Sequence, residues 1–381
     1  MKKAVIKEVV ERFREKGPVI SIFVDMDRSK RNPKEIAIEV KNIYKTTLQE
    51  LARWQVASES EALRAVFESL FPEIEGCVDG LSKGKAFYVN AASGLFAQYS
   101  LPVAVPTQVR VANHPCIFPL MEVLSPHKET LAVIVGAKEA RFFRNDGEEV
   151  KMLLEVAEDV PAKVKAAGWY GLEERRIERH VEEHILRHLK ATTATLKSLV
   201  EEEGNSYDLV LVGGNEEYAS VVVELAKEAT VSVPVEIASE LGNVTDPESV
   251  REAIFVHTMR RFYEEGEALV GRILTEASKG GQAITGLSGT LKAVNMGAVH
   301  QLVVDEHRSV KGGRCDHCDI LVLEPSNVCP VCEASVTVED DLLEAVAHKV
   351  LEQDGDVTVL GRPSLLRECE GLGAVLRFPI S

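Results

Sequence analysis

The sequence contains no uninterrupted apolar run that approaches the ~18 residues needed to cross a bilayer, which argues against a membrane protein. Its first residues, MKKAVIKEVVERF, alternate into charge after two lysines and predict an amphipathic helix, not a secretory signal. The chain has fewer basic than acidic residues, 44 Lys and Arg and 60 Asp and Glu, so its formal net charge is −16. Such a surface argues against DNA and against nonspecific binding of nucleic acid. We therefore expect a cytoplasmic protein.

Cysteine is scarce, with seven among 381 residues, yet four of the seven form one pattern. Two C-x-x-C pairs, Cys315/Cys318 and Cys329/Cys332, are separated by ten residues. This spacing can place four thiolates at the corners of a tetrahedron, the geometry that Zn²⁺ accepts in closed structural sites. Two disulfides are the alternative, but the other three cysteines are scattered and no secretory signal is predicted. We predict a structural zinc ion in an inserted segment, residues 310–336.

The remaining pattern predicts an α/β protein of three domains. Residues 1–126 are predicted to form a mixed α/β N-terminal domain, with a buried strand at 19–25 and one helix from Pro33 to about Glu75. In residues 127–267, strands come first and then alternate with helices, which indicates a mixed α/β middle domain. Residues 268–381 are predicted to form a compact α/β layer that carries the cysteine segment as an insertion.

Three domains in this order, with a cysteine mini-domain inserted after a strand of the last, resemble the class-1 peptide-chain release factors of archaea and eukaryotes. Their relative Pelota and the bacterial release-factor-like proteins share parts of this plan. The similar segments are 159–187, 287–304 and the closing 371–378. The resemblance implies an RNase-H-like middle domain and an L7Ae-like C-terminal domain. It also implies that the ribosome and tRNA are partners, and it leaves open whether a translational GTPase delivers the protein.

In this family, a Gly-Gly-Gln loop of the middle domain positions water against the peptidyl-tRNA ester. The corresponding loop here runs from Lys165 to Leu172, and a charged helix follows it. Gly168 can represent one glycine of the motif, but Trp169 stands where the catalytic glutamine is expected. The Asn-Ile-Lys-Ser motif that family members use in stop-codon reading is also missing. The resemblance therefore implies a factor of the ribosomal A site that lacks the usual means of peptide release.

Positive charge gathers at this loop and at the helix that follows it. We expect these residues to contact RNA: Lys163, Lys165, Trp169, Tyr170, Arg175, Arg176, Arg179 and Arg187. The cations would contact phosphates, and the two aromatic side chains would stack on nucleotides. Interleaved glutamates leave a second interpretation open, in which the helix is solvated and held by i,i+4 ion pairs. The two aromatic side chains can also pack back onto their own domain.

Two further motifs compete with this interpretation. His180, Glu183 and His184 fit the H-x-x-E-H pattern of inverted zinc peptidases, but we find no convincing third ligand. A literal Gly-Gly-Gln occurs at 280–282, where a helix C-cap and turn account for the two glycines. We therefore favour a binding factor that acts on stalled or idle ribosomes, in rescue or hibernation. A peptidyl-tRNA hydrolase and a zinc peptidase are the alternatives.

Overall fold

A computed structural model describes residues 2–14, 17–28, 32–54, 57–76, 82–90, 93–147, 149–157, 171–202, 204, 206–242, 244–305, 309–324 and 328–380. For residues 2–4, 57 and 171–178, only the backbone is described. The chain divides into two compact units. The first unit combines Met1–Pro126 with Phe262–Ser381, and the second is His127–Arg261. Since the predicted first and third domains fall in one unit, the division into three domains stays a prediction.

The N-terminal part of the first unit is a four-stranded antiparallel sheet, in the order β3-β2-β1-β4, with four helices. The elements are α1 (Lys2–Arg12), β1 (Val19–Asp25), α2 (Pro33–Ala52), α3 (Ala57–Gly76), β2 (Gly84–Asn90), β3 (Leu95–Leu101), β4 (Gln108–Ala112) and α4 (Phe118–Leu124). The central strand β1 is buried on both faces because its side chains alternate between two cores. Ile20 and Ile22 pack with α2 and α3, whereas Phe23 meets the ring of Tyr88 at 6.1 Å on the other face.

The prediction of one helix from Pro33 to about Glu75 is wrong. Helix α2 ends at Ala52, because the Arg53 N–H bonds back to the carbonyls of Glu50 and Leu51 and closes the helix. Helix α3 then begins at Ala57 and packs against α2, with the rings of Tyr44 and Phe71 4.9 Å apart. Both helices bury apolar side chains at helical spacing, so periodicity alone does not reveal the break between them.

The second unit is a mixed five-stranded sheet, in the order β7-β6-β5-β8-β9. Its elements are β5 (Thr130–Val135), β6 (Glu139–Asn145), β7 (Val150–Ala157), α5 (Gly171–Glu201), β8 (Leu209–Gly214), α6 (Glu216–Glu228), β9 (Val235–Ile237) and the first part of α7 (Pro247–Ser278). Strands β5, β8 and β9 run parallel, and β6 and β7 are antiparallel additions. Val133 packs with α5 and α6, and Ala132 with α7, so helices cover both faces.

The C-terminal part of the first unit contains a mixed four-stranded sheet, in the order β10-β16-β11-β15, and a small sheet, β13-β12-β14. Its elements are β10 (Ala283–Thr285), α8 (Leu287–Asn295), β11 (Val299–Val304), β12 (Gly312–Cys315), β13 (Leu321–Val322), β14 (Val336–Glu339), α9 (Leu342–Glu352), β15 (Asp356–Val359) and β16 (Leu372–Leu376). Helix α9 packs against both α1 and β11, so the two ends of the chain share one hydrophobic core.

The mixed α/β class predicted from the sequence is confirmed, with several separate sheets. Among the helices that the structure describes, none has a stretch that is long and apolar enough to span a bilayer.

Candidate functional site

The four predicted metal-ligating cysteines lie together. Their sulfur atoms all fall within 4.8 Å of one another. The Cys315–Cys332 and Cys318–Cys332 sulfur pairs are 3.4 Å apart, and the Cys318–Cys329 pair is 3.5 Å apart. A disulfide would require about 2.05 Å, whereas a tetrahedron with ~2.3 Å zinc–sulfur bonds has edges of roughly 3.8 Å. The thiols are free, and their arrangement fits a four-coordinate metal centre better than two disulfides.

Each C-x-x-C pair forms the same turn. The amide of Asp319 donates to the Cys315 carbonyl at 3.1 Å, and the amide of Glu333 donates to the Cys329 carbonyl at 3.1 Å. Asp319 and Glu333 both have φ of 59°, in the left-handed region that non-glycine residues rarely adopt. Two identical turns at equivalent positions therefore bring the two pairs of sulfur atoms to a common centre.

Backbone amides favour the thiolate form of two of these sulfurs, Cys315 and Cys329, whereas the neighbouring thiols raise the pKa of Cys318 and Cys332. The amides of His317 and Cys318 donate to Cys315 Sγ at 3.4 Å, and the Val331 amide donates to Cys329 Sγ at 3.4 Å. The Cys318 amide lowers the pKa of the Cys315 thiol to about 6. Because the thiolate is the form that binds a metal, this donor set suits a soft cation such as Zn²⁺.

Half of the predicted RNA-binding set, Lys163, Lys165, Trp169 and Tyr170, lies outside the described residues. So does Gly168, the predicted glycine of the family motif. Arg175 and Arg176 are in α5, where only the backbone is described, and Arg179 and Arg187 are exposed on the same helix. The structure therefore neither brings these residues together nor separates them.

The described part of α5 presents unpaired positive charge. Arg187 and the neighbouring Lys190 are exposed, and neither has a carboxylate within 4 Å among the described side chains. Glu183 precedes Arg187 by one helical turn and is also exposed, but the two form no ion pair. The alternative of a helix surface held by i,i+4 ion pairs is therefore not realised at this pair, although Lys197 and Glu201 form such a pair at 3.7 Å further along α5.

The histidines of the peptidase motif also lie on α5. The rings of His180 and His184 meet edge to face, with centroids 4.6 Å apart. His188, one turn further, is fully buried, and neither of its ring nitrogens has a hydrogen-bond partner among the residues that the structure describes. Among the described residues, the four cysteines are the one group of three or more potential ligands within 4.8 Å. The third ligand that a zinc peptidase requires is thus not found there.

The Gly-Gly-Gln at 280–282 is a helix terminus, as predicted. Gly280 has φ of 67°, and its amide donates to the Ala277 carbonyl at 3.1 Å. The Gly281 amide donates to the Glu276 carbonyl at 2.9 Å, which completes the C-terminal turn of α7. Gln282 is followed at once by β10, a short strand that the sequence analysis did not anticipate.

Sequence analysis missed a buried polar cluster in the first unit. Glu344 of α9 is 2 % exposed, and its carboxylate accepts the amides of Ile117 and Phe118 at 3.1 and 3.0 Å. The Cys116 thiol donates to the same carboxylate at 3.2 Å. Burial raises the pKa of Glu344, although the charge of His114 and the two amides act in the opposite direction. The one signal in the sequence was a polar pair, four residues apart, inside the apolar helix LLEAVAHKVLE.

The second member of that pair, His348, lies on the next turn of α9. Burial lowers the pKa of His348 well below its ordinary value, so the ring is neutral. Its Nε2 lies 2.7 Å from the Pro115 carbonyl, which can only accept, so Nε2 carries the proton. The ring of His114 packs on it at 4.6 Å. Burial also lowers the pKa of His114, but the Glu339 carboxylate, 3.4 Å away, and Glu344 together raise it above the ordinary value.

Comparison with protein families confirms the resemblance inferred from the sequence. Residues 115–259 match the model of bacterial archaeo-eukaryotic release factor family 10. The matched segment includes the five described strands of the second unit, residues 158–170 and helix α5. No curated protein matches the chain.

Solved structures with chains similar to this one include three translation factors or their relatives. The archaeal translation termination factor aRF1 is 17% identical over 99% of both chains, with a TM-score of 0.25. Pelota of Archaeoglobus fulgidus is 15% identical over 77% of this chain and 79% of that one, with a TM-score of 0.37. Dom34 of S. cerevisiae, a translation termination-like factor, is 12% identical over 78% and 79%, with a TM-score of 0.38.

Proposed function

We propose that this chain is a translation factor that binds the ribosomal A site and acts on stalled or idle ribosomes. The observation that carries the proposal is the match of residues 115–259 to a release-factor family. This segment contains the loop that corresponds in sequence to the Gly-Gly-Gln loop, together with α5. The RNase-H-like and L7Ae-like assignments of the middle and last domains belong to the same proposal. The mixed sheet of the second unit, with helices on both faces, supports the first of them.

The charges on α5 support RNA as the binding partner. In a chain with a net charge of −16, Arg187 and Lys190 are exposed and have no carboxylate partner among the described side chains. Unpaired cations on one helix contact phosphates at little cost, because no existing ion pair has to be broken. Further cations, including Arg175, Arg176 and Arg179, precede them on the same helix. Acceptor-stem tRNA and ribosomal RNA are the polyanions that such a helix would meet in an A site.

The absence of glutamine favours binding over hydrolysis. Trp169 occupies the place of the residue that positions water in the release factors, and indole cannot accept a hydrogen bond from water through its N–H. An aromatic side chain there is better suited to stack on a nucleotide. A peptidyl-tRNA hydrolase remains the second candidate because backbone amides of a glycine loop can also hold a water molecule.

We further propose that the four cysteines bind one structural Zn²⁺. Four thiolate ligands leave no open coordination position, so the ion would stabilise the fold and take no part in chemistry. In its described residues, the segment that the ion would order contains little apolar mass and, as regular structure, the short strands β12 and β13 and the start of β14. Metal binding then supplies the folding free energy that such a segment lacks.

Co-sedimentation with stalled ribosomes, with peptidyl-tRNA hydrolysis measured in parallel, tests the proposed function. Gly168→Ala and Trp169→Ala change the loop, and Gly271→Ala is the matched control, because a methyl group at Gly271 meets nothing within 4 Å. Sedimentation without peptide release, weakened by the loop variants alone, supports the binding factor. Release that Gly168→Ala abolishes selects the hydrolase. A protein that neither sediments nor releases peptide overturns both.

A further inference from the structure

The tetracysteine centre is connected to a distant part of the first unit by an unbroken series of polar contacts. The series begins at Asp319, which directly follows the ligand Cys318. The Asp319 carboxylate accepts Arg314 Nη1 at 2.9 Å and lies 3.3 Å from Lys349 Nζ. Lys349 also donates to the Asp319 backbone carbonyl. Since the side chain of Lys349 is only 8 % exposed, its charge has no alternative partner in bulk water.

A second step runs from Arg314 to His114. The Nε of Arg314 lies 3.3 Å from Glu339 Oε1, and Glu339 Oε2 lies 3.4 Å from His114 Nε2. Glu339 is 3 % exposed and His114 is 9 % exposed. Because Glu339 and His114 are both buried, removing the charge of one leaves the other without its partner away from water, so these contacts depend on one another.

Both routes end at the segment His114–Phe118. His348 and Glu344 hold this segment from α9 through the Pro115 carbonyl and the amides of Ile117 and Phe118. Lys349 directly follows His348 in the helix, so the contact with Asp319 and the contact with the segment are made from one turn of α9. The segment also opens the region that matches the release-factor family, which begins at residue 115.

We propose that the metal-bound cysteine centre is a positioning element for the segment His114–Phe118. Metal binding holds Asp319 in its left-handed conformation, and Asp319 in turn orients Arg314 and Lys349 and, through Glu339, His114. The inference rests on the proposed metal centre. It adds that the metal, besides ordering the cysteine segment, determines the conformation of His114–Phe118, where the family-matched region 115–259 begins.

The left-handed conformation of Asp319 is what makes its contacts with Arg314 and Lys349 depend on the metal. A non-glycine residue stays in the left-handed region only where its surroundings over-determine it. Here the surroundings are the C-x-x-C turn and the hydrogen bond from the Asp319 amide to the Cys315 carbonyl. Once the sulfurs are no longer held at one point, Asp319 can leave this conformation. The buried Lys349 and the partly buried Arg314 then lose their shared carboxylate partner.

Hydrogen–deuterium exchange of the full chain tests the inference directly, because the amides of Ile117 and Phe118 are the donors to Glu344. Stripping the metal with a chelator at neutral pH is expected to raise the exchange rate at these two amides at least tenfold. The amides of β1, which pair within a different sheet, are expected to change less than twofold. Metal content per chain is measured on the same samples.

Two variants separate the contact series from the metal itself. Glu339→Gln and Arg314→Met remove charges from the series but leave all four cysteines, so each is expected to retain one metal ion and still raise exchange at Ile117 and Phe118. Asp340→Asn is the matched control, because Asp340 is adjacent to Glu339 but pairs only at the surface, 3.6 Å from Lys311. Circular dichroism verifies that each variant is folded. If either Glu339→Gln or Arg314→Met is unfolded, the comparison with Asp340→Asn uses the one that is folded.

The metal content and the exchange rates together distinguish failure of the metal proposal from failure of this inference. A chain that carries no metal overturns both the metal proposal and this inference. A chain that carries one metal ion, yet exchanges at the same rate at Ile117 and Phe118 after stripping, overturns the inference alone. The inference is also overturned if a folded Glu339→Gln or Arg314→Met protein exchanges these amides as slowly as Asp340→Asn does.

Discussion

The carboxylate of Glu344 accepts the backbone N–H of Phe118 at 3.0 Å, although 226 residues separate the two in the chain. Phe118 is the first residue of α4, and its N–H is one of the groups that a helix leaves without an internal partner. A side chain from the C-terminal part of the chain thus caps a helix of the N-terminal part. This contact joins the two parts of the first unit, residues 1–126 and 262–381, which the second unit separates in the sequence.

Replacing Glu344 by alanine is expected to destabilise the first unit by about 2–4 kcal/mol, because two buried amides lose their acceptor. Glu344→Gln, which keeps one acceptor oxygen, is expected to cost less than half as much. Urea denaturation compares these variants with Glu61→Ala, an exposed glutamate in α3 whose loss should cost under about 0.5 kcal/mol. Equal midpoints for Glu344→Ala and Glu61→Ala would contradict the capping role.

His348 is expected to make stability depend on pH. The folded pKa of this ring is lowered well below the ordinary ~6.5, so below that pH the unfolded chain binds a proton that the folded chain excludes. The contribution is therefore present above about pH 6.5 and is lost as the pH falls below it. His348→Gln keeps an N–H donor for the Pro115 carbonyl but cannot titrate. Its free energy of unfolding should fall less steeply than that of the wild type between pH 7 and 5.5, and parallel curves would contradict the assignment.

Because the pKa of His114 is raised instead, its contribution has the opposite sign. It is fully present below about pH 6.5 and is lost as the pH rises through the folded pKa. His114→Asn should thus destabilise the protein more at pH 6 than at pH 9, as read from thermal unfolding at the two pH values. A loss of equal size at both would mean that packing, not charge, accounts for His114.

Metal analysis should find one zinc ion per chain. Cys329→Ser/Cys332→Ser should remove it, since two of the four ligands are lost, whereas His184→Ala should leave the content unchanged. A second ion that disappears only with His184 would favour the zinc peptidase over the factor proposed above. Inductively coupled plasma mass spectrometry of the purified proteins distinguishes these results.

Ribosome binding should depend on the unpaired cations of α5. Arg187→Gln/Lys190→Gln is expected to weaken co-sedimentation several-fold and to lower the salt dependence of binding by about one counterion per lost phosphate contact. Lys227→Gln on α6 removes an exposed charge from the same unit and is the control. If both proteins bind as the wild type does, α5 is a solvated surface helix and the loop alone must carry any RNA contact.

Local patterns in the sequence were sufficient where the structure is built from near neighbours. The cysteine cluster was predictable because each C-x-x-C pair forms its turn alone, and only the meeting of the two turns needs the fold. The C-cap at Gly280 was predictable for the same reason. The break after Ala52 was not predictable, because α2 and α3 bury the same apolar pattern and no glycine or proline follows Ala52 to mark the end of α2. Strand β10 is three residues long, and only its pairing with β16 defines it.

By itself, the sequence determined the α/β class, the cluster of four cysteines, the charged helix α5 and the resemblance to the release factors, all of which depend on residues close together in the chain. Only the tertiary structure decided that Glu344 and His348 of α9 hold the segment that begins at His114. Long-range hydrogen bonds and buried charges leave no periodic trace in a sequence, because each is a single contact between residues hundreds of positions apart. The link from the cysteine centre through Asp319 and Arg314 to Glu339 is of this kind, and folding alone brings its members together.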